Sequence, residues 1–158
     1  MYVTGMAADA SHDCVFCEAA VRDRDALVLV RGAYCYVILN LYPYNNGHLM
    51  VVPTRHVGSL AALEPAEAAE LMQFTQDAER ALTEAYQPDG INVGVNLGRA
   101  AGAGIVHHVH VHLVPRWTGD TNFMSVVGEV RVLPEDLGAT ATRLGPIFER
   151  LHTVWAQR

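Results

Sequence analysis

His108-Val109-His110-Val111-His112-Leu113-Val114 sets three histidines at alternate positions, separated by apolar and mostly β-branched residues. Period-two alternation is the pattern of a β-strand, so all three imidazoles are predicted on one face, with His107, Val109, Val111 and Leu113 on the other. The apolar side suits a core; the opposite side carries three groups that titrate near neutrality.

Working outward, this strand is predicted over Ile105 to Arg116, preceded by a small-residue loop, Gly98 to Gly104 (GRAAGAG), and an earlier strand, Ile91 to Leu97. From Glu64 to Tyr86 the spacing becomes helical, with Leu71, Phe74, Ala78, Leu82 and Ala85 on one face; Pro65 suits its first turn, and Pro88 with Gly90 ends it. Nearer the N-terminus, Asp25 to Arg31 and Tyr34 to Leu39 read as an antiparallel hairpin. The turn-rich Asn40 to Gly47 then leads into a buried strand, Leu49 to Pro53. After an irregular Asn122 to Gly128, Pro134 to Trp155 reads as a last helix presenting Leu137, Ala141, Leu144, Phe148, Leu151 and Trp155. These elements predict an α+β fold, an antiparallel sheet of about five strands with two main helices. Residues 1–12 read as a mobile tail and 13–158 as one domain.

Half of the 158 residues are hydrophobic and fewer than a fifth are charged, which excludes global disorder. A net charge of −6 argues against a general phosphate-backbone binder, so no nucleic-acid partner is expected. No apolar run reaches the roughly 18 residues of a membrane span. No membrane partner is expected either, and a cytoplasmic location is. Three cysteines, Cys14 and Cys17 spaced CxxC and Cys35 alone, do not form a secreted disulfide framework.

The histidine row admits three readings. Alternate histidines on a strand can share a metal ion. Alternatively, His110 is a nucleophile whose neighbours manage protons, since a bond from one ring nitrogen to a backbone carbonyl leaves the other nitrogen free to attack phosphorus. Donors around the phosphate oxygens then come from the glycine loop and His112. The third reading is a set of hydrogen-bonded structural histidines.

HVHVHLV followed by PRW resembles the signature of the histidine triad (HIT) superfamily. NLGRAAGAGIVH, NLYPYNNGHLMVVPTRH and GDTNFM look like its Fhit-like branch, which includes diadenosine tetraphosphate phosphorylases. The resemblance covers roughly residues 14–137. It implies a HIT-like fold and a nucleotide hydrolase or transferase that cleaves dinucleoside polyphosphates at the α-phosphate, by phosphorolysis or hydrolysis, through a nucleotidyl-histidine intermediate. A nucleoside phosphoramidase and a non-catalytic nucleotide-binding module are the alternatives.

By the same resemblance, His110 is the nucleophile, His112 contacts phosphate or the leaving group, and His108 orients the nucleophile. Asn40 matches a ribose-binding Asn and Asn96 the Asn that opens the glycine loop. Many members carry Gln followed by Ser or Thr after the loop glycines, where this chain has Ala103, Gly104 and Ile105. Only the backbone donors of Gly104 and Ile105 remain there, which leaves the acceptor, water or phosphate, open. CVFC resembles the family's structural zinc motif, whose ligands would be Cys14, Cys17, His56 and His108, with His12 a substitute. No organic cofactor is expected, and family members are usually homodimers. His48, Tyr42, Tyr44, Arg99, Trp117 and His152 are compatible with site roles or with ordinary packing.

Overall fold

The computed structural model describes residues 14–23, 25–120 and 135–156. The readings of residues 1–12, His12, 122–128 and Pro134 lie outside them. Five strands, β1 (Val28–Arg31), β2 (Cys35–Leu39), β3 (Leu49–Pro53), β4 (Gly90–Val95) and β5 (Val111–Arg116), form one antiparallel sheet in the order β1-β2-β3-β5-β4. The helices are α1 (Val15–Val21), α2 (Pro65–Tyr86) and α3 (Leu137–Ala156).

Strand alternation splits the sheet into two apolar faces. Cys35, Val37, Leu39, Leu49, Val51, Val111 and Leu113 point to one side, where Leu71, Phe74, Ala78, Ala81 and Leu82 of α2 and Leu144 and Phe148 of α3 close the main core. Tyr36, Ile38, Met50 and Val52 point to the other, against Cys14, Phe16 and Ala19 at α1. α2 begins as its sequence predicts, with Pro65 in the first turn and a reciprocal capping box between Glu64 and Glu67. The Glu70 carboxylate on α2 accepts hydrogen bonds from the backbone N–H groups of Ala33, Tyr34 and Cys35, which ties the β1–β2 turn to the helix.

Two features depart from the sequence reading. α1 was not predicted. Seven residues give too few turns for a periodic signal, and the helix is held from outside: Arg31 donates to the carbonyls of Ala19, Ala20 and Arg22, and the Tyr36 hydroxyl to that of Phe16.

The second departure concerns the histidine strand, predicted from Ile105 but regular only from Val111. β3 pairs with β5 over Leu49↔Leu113 to Val51↔Val111, and β4 pairs with it from Val95↔Val111. Beyond that point the Val109 N–H bonds to the Val57 carbonyl, and the His108 ring takes the Pro53 carbonyl. His108 and His110 therefore lie on the approach to the strand, and His112 alone of the three is in the ladder.

Candidate active site and metal-ligand cluster

His112 pairs with Met50 and so faces the α1 side of the sheet, and His110 joins it there. Their rings meet edge to face, with centroids 4.7 Å apart, and Phe16 of α1 covers His110 at 4.9 Å. The predicted common side for the three imidazoles is thus seen, although two of them precede the strand.

Each ring has its protonation dictated by one partner. A backbone carbonyl can only accept, so the His110 Nδ1–H donates to the His108 carbonyl at 2.8 Å, which leaves the Nε2 lone pair uncommitted. The His108 Nε2–H likewise donates to the Pro53 carbonyl at 2.8 Å, so its Nδ1 lone pair points at the Cys14 and Cys17 sulfurs, 3.3 and 3.6 Å away. Burial holds all three histidines below the ordinary imidazole range, His112 to about 4, so they are neutral at pH 7.

His48 is the site residue whose role the sequence left open. Gly47, at φ +78°, turns the chain into β3, where a Cβ would strike the Tyr86 ring at 2.9 Å. The turn sends His48 inward, 1% exposed, with its Nε2 3.0 Å from His112 Nδ1. Tyr44 stacks on its outer face, with centroids 4.9 Å apart. Asn40 is drawn into the same network: its Oδ1 accepts the Tyr42 N–H and its Nδ2 lies 3.3 Å from His48 Nε2.

The glycine loop lies between β4 and β5, with Gly98 and Gly102 at positive φ and a short turn at Arg99–Ala101. Ile105 packs on the α1 side of the sheet, the face that carries His110. Gly104 is exposed and Asn96 half-buried. Among the described residues, neither Asn96 nor the loop is hydrogen-bonded to the histidines. Arg99 is exposed, His152 packs against Phe74 and Trp117 meets the Tyr86 ring, so the last two belong to packing.

Cys14, Cys17, His56 and His108 converge. One ligand atom from each lies within 4.8 Å of all the others, and His56 Nδ1 is 3.2 Å from Cys17 Sγ. Two sulfurs and two imidazole nitrogens make a Cys₂His₂ donor set that could hold a metal ion. Burial and the adjacent Cys14 push the Cys17 thiol up to about 11, so two neighbouring thiolates here require a cation. The residue beside His56 is fixed as well: Arg55 forms a bidentate pair with Glu67, whose carboxyl it holds down to about 2. His107 is exposed and stands outside the cluster.

Comparison with solved structures finds a Zn-bound histidine triad family protein from Mycobacterium smegmatis, with a TM-score of 0.73 and 29% identity over 91% of this chain and 99% of that one. Among curated proteins, the AP-4-A phosphorylase of Mycobacterium tuberculosis H37Rv is 49% identical over 128 residues, 81% of this chain and 66% of that protein. Adenylylsulfatase HINT3 of Arabidopsis thaliana is 31% identical over 105 residues, 66% of this chain and 53% of that protein. The chain thus spans about two thirds or less of the length of these two relatives. The HIT domain model matches residues 21–119, and the chain belongs to that family.

Proposed function

We propose that this protein cleaves dinucleoside polyphosphates of the diadenosine tetraphosphate type at the α-phosphate, through a nucleotidyl-His110 intermediate. The observation that carries the reading is the free Nε2 lone pair of neutral His110, set by the bond from Nδ1–H to the His108 carbonyl and placed beside His112. His110 Nε2 attacks the α-phosphorus, the bond to the leaving nucleoside polyphosphate breaks, and the electron pair leaves on its oxygen. The positive charge gained by the ring rests on Nδ1–H, against the His108 carbonyl. An acceptor oxygen then attacks the same phosphorus and the P–N bond returns its pair to His110.

Asn40 is assigned to the ribose, and Asn96 with the N–H groups of Gly104 and Ile105 to the phosphates. Inorganic phosphate is the proposed acceptor, a choice supported by the 49% identity to the M. tuberculosis phosphorylase.

The cluster of Cys14, Cys17, His56 and His108 is proposed to hold a structural zinc, supported by the tautomer of His108 and by the likeness to the Zn-bound M. smegmatis protein. Bound there, zinc would supply cross-linking of α1 to the segment that carries the nucleophile. We also propose a homodimer and residues 13–158 as one functional unit.

Diadenosine tetraphosphate supplied with and without inorganic phosphate tests the chemistry. ADP with ATP marks phosphorolysis, AMP with ATP marks hydrolysis, and turnover of an adenosine phosphoramidate in preference to both replaces the reading with a phosphoramidase. His110→Ala should lower turnover by about 10⁴-fold or more with the fold intact. Near-normal activity in that variant would sink the proposal.

A further inference from the structure

Register places the turn between β4 and β5 beside the nucleophile. Gly94 pairs with His112 and Val95 with Val111, so the next residue, Asn96, leaves β4 at the level of His110. Arg99 follows three residues later, and three residues of chain span at most about 11 Å. The turn uses most of its own donors: the N–H groups of Ala101 and Ala103 bond to the Gly98 carbonyl and that of Gly102 to the Arg99 carbonyl. Those three are committed and leave little backbone to meet a chain of phosphates. The histidines add no positive charge, because His48, His108, His110 and His112 are held neutral at pH 7, and the chain has no lysine. Among the described residues, Arg22, Arg55, Arg80, Arg116, Arg143 and Arg150 each pair with a carboxylate, and Arg31 donates to three backbone carbonyls. Of the described arginines, Arg99 alone forms neither an ion pair nor a hydrogen bond, and it is exposed.

We propose that Arg99 binds the phosphates beyond the scissile bond and makes the site selective for long polyphosphate chains. This role rests on the cleavage proposed above and specifies its substrate class. When the bond at the α-phosphorus of a dinucleoside tetraphosphate breaks, its electron pair leaves on the oxygen of a nucleoside triphosphate. Negative charge therefore gathers on the leaving side, where the neutral histidines cannot balance it. A guanidinium is a planar fork that meets two phosphate oxygens at once and stays charged at any working pH. Arg99 has no intramolecular carboxylate to give up when it binds, unlike the six paired arginines. The turn is also open on both flanks: a Cβ added at Gly98 or at Gly104 would meet nothing within 4 Å. A substrate whose leaving group lacks further phosphates gives Arg99 no partner, so the benefit grows with chain length.

Calorimetry of the whole chain with AMP and with a methylene-bridged, non-cleavable diadenosine tetraphosphate reads the contact without turnover. Arg99→Gln should lower the ratio of tetraphosphate to AMP affinity about 10- to 100-fold, the range expected for a hydrogen bond between charged groups. Arg99→Lys should recover only part of it, since an ammonium cannot fork across two oxygens. In turnover, the kcat/KM ratio of diadenosine tetraphosphate to adenosine phosphoramidate should fall by a similar factor in Arg99→Gln, and added salt should erode the wild-type ratio more than the variant's. An affinity ratio unchanged by Arg99→Gln overturns the proposal. So does a rise in the KM for inorganic phosphate with both ratios intact, which assigns Arg99 to the acceptor instead. Failure of the cleavage reading, seen as undiminished activity in His110→Ala, is a separate result, because the affinity ratio is measured on a ligand that is not cleaved.

Discussion

At His110 and His108 the decisive feature is the partner of one ring nitrogen, because neutral imidazole offers one donor and one acceptor and the backbone chooses between them. A Pro53 carbonyl turns His108 toward two sulfurs, and the His108 carbonyl in turn frees the attacking nitrogen of His110. Neutrality of the network has a consequence for acid. His48 titrates near 6.5 when unfolded and only near 4 when folded. Between these values the unfolded chain takes up a proton that the folded chain refuses, so stability is fully present above the unfolded pKa and declines as pH falls from about 6.5 towards 4. For this one buried ring the loss is on the order of 2 kcal/mol. Denaturant unfolding at pH 7.5 and 4.5 measures it, and His48→Gln, which cannot protonate, should flatten the slope. The acid limb of kcat/KM should correspondingly fall well below pH 6.5; a limb at or above the ordinary imidazole value would contradict a buried neutral site.

At the scale of elements, α1 is the weak member on intrinsic grounds. A helix of seven residues with no side-chain N-cap is too short to hold itself in water, so its place depends on Arg31, Tyr36 and the cysteines. With zinc in the cluster, removal of the metal by a strong chelator should release α1 and lower the melting temperature by about 5–10 °C. Metal analysis of protein purified without chelator should give close to one zinc per chain, and Cys17→Ser should lose it. A stoichiometry near zero together with an unchanged melting temperature would remove the zinc assignment. The same element shows where sequence reading stops. Helical spacing located α2 to within a residue because twenty-two positions repeat the signal, and the hydrophobic runs located β2 and β3. α1 repeats nothing, and its cysteines spoke only through spacing. The histidine strand failed differently: its alternation continues unbroken from residue 108, but a strand also needs a partner, and pairing stops at Val51 on β3 and at Val95, the end of β4. The histidine row was legible because side-chain chemistry is written in residue type, and the Cys₂His₂ set was legible through its resemblance to the family's zinc motif. The His48–His112 bond was not, since 64 residues of chain separate its members and only the fold brings them together.

For the whole molecule, the sheet has two ends and they are treated differently. β1 lies beside the Arg31 bonds to α1, whereas β4, among the described residues, has no strand on its outer side. Gly90, Asn92, Val93 and Gly94 of β4 are exposed, and Val93 is 52% so. An edge strand in a monomer is normally blunted by a charge, a proline or a bulge, and β4 (GINVGV) carries none of these. Beside it, Glu79 and Thr83 of α2 with Pro88, Ile91 and Val93 border an open groove of about 360 Å³. A second copy that pairs its own β4 antiparallel to this one would satisfy both edges at once, with the two-fold symmetry expected of a dimer. Light scattering should therefore give twice the chain mass at micromolar concentration. Val93→Lys places a charge at the centre of that edge, where the two-fold brings like charges close together, and should shift the species to monomer while circular dichroism stays unchanged. Because His112 contacts both His48 and His110 within a single chain, the monomeric variant should keep these contacts, read as unchanged imidazole ¹⁵N resonances. A dimer that survives Val93→Lys intact would place the interface on another surface.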